Sequence, residues 1–371
     1  VAGPVVITGG GTGGHVFPMQ AVAEALRAQG VAASELRYVG SRRGQEAQLL
    51  RGAEFGLTLL PGRGIRRSWS ASAALANVGA ALGLVAALVA ALVLVRRWRP
   101  SVVVSVGGYA SFAMSAAAMC WRRPVVLVEL DATPGFAHRL VGRYARARCC
   151  AFPTTGENVV VTGAPLRAAI DEVDRSPSAR ERARRACHPP IDAARTVVVV
   201  MTGSLGSLRV NTAVRELAES WRSRADVTIL HVTGQRDYGA FASPPPTAGL
   251  DYRVVAFADM AELWSLCDAA ICRAGAITVA ELTALSIPSI LVPLPGAPGD
   301  HQTRNAEAVA RVGGARVLAD ARCSGAALAT LLDEVLEPST LAVMSEAAGT
   351  LARRDAARAI AGVVAEARCD R

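Results

Sequence analysis

Lysine is absent from this chain of 371 residues: all 40 basic side chains are arginine. Alanine is abundant, so the net charge of +9 and the pI near 9.6 reflect, in good part, the coding of a GC-rich genome. No nucleic-acid partner is inferred from them. C-x-x-C spacing is also missing among the eight cysteines, and Cys149 and Cys150 are adjacent, which suits neither a disulfide framework nor a zinc site. Reduced thiols are expected. No Asp-x-Asp pair suited to a divalent cation occurs, and no signal peptide is expected where Val1 leads directly into a strand pattern.

Charge disappears altogether over the 25 residues from Ala71 to Val95, long enough for a membrane span. Ten of those residues are alanine, however, and Leu75, Val78, Leu82, Val85, Val89 and Leu92 step by three and four, as one apolar face of a helix does. The segment lies between the strand-like runs LTLLPG and VVVSVGG, where a parallel sheet needs a crossover helix. A crossover helix is therefore expected, with Leu84, Leu88 and Val95 as a second ridge able to touch a bilayer. Arg63, Arg66 and Arg67 before it, and Arg96, Arg97 and Arg99 after it, suit an anionic lipid surface or simply solvated helix ends.

What is present is a rhythm of short β-branched runs alternating with helical patterns. VVIT, LRYVG, LTLL, VVVSV, VVLVEL, CCAF and VVVTG fill the first half; TVVVVM, VTILHVTG, YRVVAF, AAICRAG, SILVPL and ARVLA the second. Continuous apolar strands belong to parallel sheets covered on both faces. An α/β chain of two doubly wound, Rossmann-like domains is expected, with boundaries at 1–164 and 165–344 and an alanine-rich helical segment, 345–371, packing back on the first domain. The join lies near VTGAPLR, Val161 to Arg167. Ligands in such sheets bind beyond the strand carboxyl ends, so the two sheets are expected to face a common cleft.

Two loops carry chemistry. In VVITGGGTGGHVFP, glycines let backbone amides approach an anion and the following helix offers its positive N-terminus. The glycines fit G-x-G-x-x-G, but a nicotinamide enzyme wants an acid closing the second strand, and YVGSRRG has arginines there. Arginines accept a 2′-phosphate, so an NADP-dependent oxidoreductase stays open. His15 stands at the mouth of this anion site, where a neutral imidazole takes a proton from a hydroxyl or merely contacts phosphate. The second run is CRAGAITVAELTALSIPSILVPLPGAPGDHQTRNA, Cys272 to Ala306. It turns at Gly275 into a helix aimed at an anion, with Glu281 placed to accept ribose hydroxyls or to complement the macrodipole, and Gln302 able to bond a sugar.

GGGTGGHVFP, VGGYAS, VTGAPLR, TGSLGS, FADMAEL, RAGAITVAEL and PLPGAPGDHQTRNA occur in that order, and together the chain resembles the MurG family of peripheral membrane glycosyltransferases. The resemblance implies the GT-B architecture and no cofactor or metal. It implies an inverting transfer of N-acetylglucosamine from UDP-N-acetylglucosamine to the C4 hydroxyl of undecaprenyl-diphosphate-linked muramyl-pentapeptide, on the cytoplasmic face of the bacterial plasma membrane. The implied donor contacts are Thr12, Gly13, Gly14, Asp131, Arg167, Ser204, Phe257, the run Ala276, Ile277, Thr278, Val279, Ala280 and Glu281, and Gln302. Gly107, Gly108 and Tyr109 match the acceptor side, and His15 the histidine near the acceptor hydroxyl. Three departures stand out. The family's His-Glu-Gln-Asn run is here Val128 to Asp131, VELD; Leu205 replaces glutamine; and Ser207 replaces alanine. They leave open a diverged paralogue with another sugar or acceptor, or a binding protein of the same fold.

Overall fold

The computed structural model describes residues 3–10, 13–42, 50, 55–61, 71–203 and 205–369. The chain divides into two compact units, Val1–Arg167 with Arg353–Arg371, and Ala168–Ala352.

In the first unit, seven parallel strands lie in the order β3-β2-β1-β4-β5-β6-β7. They are β1 (Val5–Gly9), β2 (Leu36–Ser41), β3 (Gly56–Leu60), β4 (Val102–Gly107), β5 (Val125–Glu129), β6 (Ala147–Cys150) and β7 (Val159–Val161). The central strands are valine-rich and buried along their length because helices cover both faces. Helices α2 (Ala71–Trp98) and α3 (Tyr109–Cys120) pack together over Val6, Val103, Val125 and Leu127. Right-handed crossovers place α1 (Gly13–Ala28) on the opposite face, where it packs against the last helix of the chain. A short α4 (Phe136–Val141) follows β5.

Helix α2 turns its face opposite to the one its periodicity suggests. Ala80, Ala87, Ala91 and Val95 are buried, whereas Leu82, Val85, Val89 and Val93 are 55–68% exposed. Val95, expected on an outer ridge, is in the core. The physical reason is the partner: α3 buries Ala110, Ala113, Ala117 and Ala118, and two alanine faces allow a close helix approach that leucines would block. By length and composition the helix could cross a membrane. Its two flanking strands, β3 and β4, belong to one parallel sheet, which a traverse of a bilayer between them would not permit.

The second unit repeats the plan with six parallel strands in the order β10-β9-β8-β11-β12-β13. They are β8 (Thr196–Met201), β9 (Val227–Val232), β10 (Asp251–Val255), β11 (Ala269–Cys272), β12 (Ser289–Leu291) and β13 (Ala315–Val317). Helices used below are α5 (Leu208–Ser220), α6 (Met260–Leu266), α7 (Ala276–Ala284), α8 (His301–Arg311), α9 (Gly325–Val335) and α10 (Pro338–Gly349). Helices α5 and α9 pack together through Val214, Leu217, Leu328 and Leu332 over Val198 and Ile229. The expected start of the last segment at 345 falls inside α10, which belongs to this unit; only α11 (Ala356–Cys369) returns to the first.

Strand order reverses between β1 and β4 in one sheet and between β8 and β11 in the other. Each reversal splays the loops beyond the strand carboxyl ends and opens a crevice there.

Candidate functional site

At the first crevice, the β1–α1 and β4–α3 loops touch through their backbones. Gly108 has φ +87°, and a Cβ there would lie 2.4 Å from the carbonyl oxygen of Gly10. Gly107 has φ +107°, and its Cβ would lie 3.4 Å from both Cδ2 and Nε2 of His15. The edge of the His15 imidazole therefore rests over a glycine, at the first turn of α1. Tyr109 opens α3, its phenol pushed above its ordinary pKa by burial. The Arg167 guanidinium stacks over the Phe17 ring of α1 at 5.0 Å, so the join is tied to the helix carrying His15. Gly13 and Gly14 lie in the first turn of α1; Thr12 lies outside the described residues, as does Arg43.

Below these loops lies a polar cluster that the motifs do not mark. The carboxylate of Glu129, with a side chain 3% exposed, accepts two bonds from Arg148, Nε to Oε1 at 3.0 Å and a terminal nitrogen to Oε2 at 3.1 Å. The Cys150 thiol adds a third contact at 3.4 Å. Glu129 is thus committed to a buried pair rather than held as a base. Ser105 and His138 Nε2 lie 3.0 Å apart, and burial, only partly offset by Glu129, lowers His138 to about 4. It is neutral at physiological pH. Val128 and Leu130 point into the core, so the VELD departure exchanges polar chemistry for packing at those two positions. Asp131 follows, half-buried.

At the second crevice, α7 begins beyond Gly275, whose carbonyl accepts the Val279 amide at 2.9 Å. The amides of Ala276, Ile277 and Thr278 precede the first intrahelical bond and face the crevice; those of Val279 and Ala280 are already inside the ladder. Glu281 is buried, and one of its oxygens accepts the Trp264 indole N–H at 2.9 Å, from a side chain wholly buried on α6. A carboxylate offers about four lone-pair directions, of which the indole takes one. Phe257, beyond β10, is 71% exposed. The Gln302 side-chain oxygen accepts the Leu294 amide at 3.0 Å, bracing the proline- and glycine-rich loop. Ser204 lies outside the described residues.

Arg273 ties these loops together, a role no motif announced. It donates to the carbonyls of Val292 and Pro293, both at 3.0 Å, and to Ser207 Oγ at 2.5 Å, and it pairs with Asp320 at 2.7 Å. Ser207, one of the departures, supplies the hydroxyl that brings the β8–α5 loop into this bracket.

Two doubly wound units, each with an anion-directed loop at its strand-order reversal, define the GT-B architecture. Residues 5–149 match the Glycosyltransferase family 28 N-terminal domain, and residues 197–360 the Glycosyltransferase family 28 C-terminal domain. Over 98% of both chains the sequence is 38% identical to the UDP-N-acetylglucosamine–N-acetylmuramyl-(pentapeptide) pyrophosphoryl-undecaprenol N-acetylglucosamine transferase of Alkalilimnicola ehrlichii. The protein of that name from Moorella thermoacetica is 36% identical over 97% of this chain and 98% of its own. The crystal structure of Acinetobacter baumannii MurG superposes with a TM-score of 0.75 at 26% identity, covering 98% of this chain and 99% of that one. The chain belongs to the MurG family of glycosyltransferases, which sets aside the oxidoreductase reading.

Proposed function

We propose that the protein transfers N-acetylglucosamine from UDP-N-acetylglucosamine to the C4 hydroxyl of the lipid-linked N-acetylmuramyl-pentapeptide, the step that completes the disaccharide unit of peptidoglycan. The observation that carries this reading is the full-length likeness to transferases bearing that activity in their name. In the scheme, His15 takes the proton of the attacking hydroxyl, the anomeric carbon inverts, and UDP leaves. Negative charge grows on the diphosphate, where the amides of Ala276–Thr278 at the α7 N-terminus stabilise it more in the transition state than in the ground state. Glu281, fixed by Trp264, holds the ribose; Phe257 contacts the uracil; and Gln302, its oxygen engaged by Leu294, offers its NH2 group to the sugar. Glycine amides at 107 and 108, with Tyr109, meet the acceptor diphosphate.

The exposed apolar stripe of α2, ending in exposed Arg96 and Arg97, supports peripheral binding to an anionic membrane surface, where the acceptor lipid resides. A second reading, another UDP-sugar as donor, is favoured by Leu205, an apolar side chain 66% exposed in the β8–α5 loop where the family has glutamine. A donor screen with a short-chain lipid-linked acceptor separates the two: UDP-N-acetylglucosamine is expected to give the highest kcat/KM. Glu281→Ala is expected to weaken UDP binding at least tenfold by removing a charged hydrogen-bond acceptor, about 1.5–3 kcal/mol. Full-strength UDP binding by that variant would refute the donor assignment.

A further inference from the structure

The second unit buries a histidine that the transfer chemistry does not use. His231, on β9, has no exposed surface, and each ring nitrogen meets a partner: Nδ1 the Tyr252 hydroxyl at 2.8 Å, Nε2 the Asn211 side-chain oxygen at 3.0 Å. Which nitrogen carries the proton follows from Asn211. Its NH2 group donates to the Thr233 carbonyl at 3.0 Å and to Asp237 Oδ2 at 3.1 Å, so its oxygen is the atom turned toward the ring. An oxygen only accepts, so Nε2 must be the protonated nitrogen, and Nδ1 accepts from Tyr252. Thr202 Oγ donates to the same Asn211 oxygen at 3.3 Å. Burial pushes the imidazole down to about 3, so the ring is neutral and this one tautomer persists at physiological pH.

The network ends at the β8–α5 loop. Gly206, at φ +82°, leaves no room for a side chain: its Cβ would lie 2.1 Å from the Thr233 carbonyl and 2.8 Å from Asp237 Oδ2. A Cβ at Gly234 would lie 2.3 Å from the Gly206 nitrogen. The loop backbone is therefore pressed onto the same two groups that Asn211 grips, and Arg236 fastens Asp237 from outside with two bonds, at 2.6 and 2.9 Å. Rotation of the Asn211 amide would exchange donors for an acceptor at both Thr233 and Asp237. The Thr233 carbonyl and the Asp237 carboxylate, which only accept, forbid it, and the His231 N–H anchors the oxygen in the orientation they set.

We infer that His231 is a positioning residue for the β8–α5 loop and, through Asn211, sets the affinity for the diphosphate of the nucleotide-sugar donor. The inference rests on the donor reading given above, together with the family resemblance, which implies that Ser204 of that loop, itself outside the described residues, meets the donor's diphosphate. The test uses full-length protein, with steady-state transfer kinetics and calorimetric titration of UDP. His231→Phe keeps the volume and removes both hydrogen bonds; donor KM and the UDP Kd are expected to rise about tenfold, the value of roughly one buried hydrogen bond, with acceptor KM unchanged. His231→Gln, whose amide can donate to Asn211 and accept from Tyr252, is expected to recover to within about threefold of wild type. Tyr252→Phe removes only the hydroxyl that donates to Nδ1 and decides the matter if His231→Phe does not fold; a rise of about threefold in donor KM is expected. A folded His231→Phe or Tyr252→Phe variant with wild-type donor KM overturns the inference. Wild-type protein that fails to bind UDP overturns the donor reading instead.

Discussion

Replacing Gly107 by alanine tests whether His15 acts where it stands. Two costs follow from the structure and can be separated. The first is backbone strain: a side chain at φ +107° is disfavoured by roughly 1–3 kcal/mol, which lowers stability without touching chemistry. The second is contact: the new methyl would stand 3.4 Å from Cδ2 and Nε2 of His15, at the tight limit of ordinary van der Waals contact, so any settling of the strained backbone toward the ring moves the imidazole. If a displacement of about 1 Å costs on the order of a hundredfold, a shift of roughly 0.3–0.5 Å should lower kcat by about three- to tenfold. Gly30→Ala supplies the control, because Gly30 has φ +91° but nothing within 4 Å of its Cβ. Urea unfolding should show comparable losses of stability for the two variants, and transfer assays at saturating substrates should show loss of kcat in Gly107→Ala alone. Wild-type kcat in folded Gly107→Ala would refute His15 as a base whose position matters. Equal losses of kcat in both would assign the effect to stability.

Trp264→Phe removes the indole N–H from Glu281 while keeping most of the packing; the UDP Kd should rise about tenfold, and an unchanged Kd in titration would disconnect Glu281 from the nucleotide. Acid should destabilise the fold through its buried histidines. His138 and His231 titrate at about 4 and about 3 when folded, below the ordinary 6.5, so the unfolded chain binds protons that the native state refuses. Their contribution is complete above pH 6.5 and falls with pH by about 1.4 kcal/mol per unit for each histidine until the folded value is reached. Denaturant melts from pH 7 to pH 5 should give a shallower pH slope for His138→Gln than for wild type, and identical slopes would remove His138 from the account. Val85→Glu with Val89→Glu, on the exposed stripe of α2, should abolish sedimentation with anionic vesicles while leaving transfer to a short-chain soluble acceptor intact; retained sedimentation would move the membrane contact elsewhere.

The parallel strands were legible because burial on both faces leaves runs such as TVVVVM no other reading, and the anion loops because glycine followed by a helix start is a local pattern. The orientation of α2 was not. Its sequence holds two apolar ridges, and which one faces inward depends on the alanines of α3, a property of the partner rather than of the segment. Glu129 falls within the VELD run, yet its role is fixed by Arg148, which sits on the next strand, nineteen positions on. Arg273, Ser207 and Asp320 likewise meet only once β8, β11, β12 and β13 stand side by side. Local spacing identifies what a loop can bind; the groups that hold the loop still come from strands whose neighbours the topology alone decides.

The last helix has a consequence for synthesis. Ala356, Ile360, Ala361, Val364 and Ala367 of α11 are buried in the unit whose first strand begins at Val5. On a ribosome, the second unit, one continuous stretch from Ala168 to Ala352, can close as soon as it emerges. The unit begun first must wait, with the apolar seat of α11 uncovered, until residues 353–371 have followed the whole second unit out. Its nascent form is accordingly the one with exposed apolar surface, and loss of the final nineteen residues would leave it permanently in that unfinished condition.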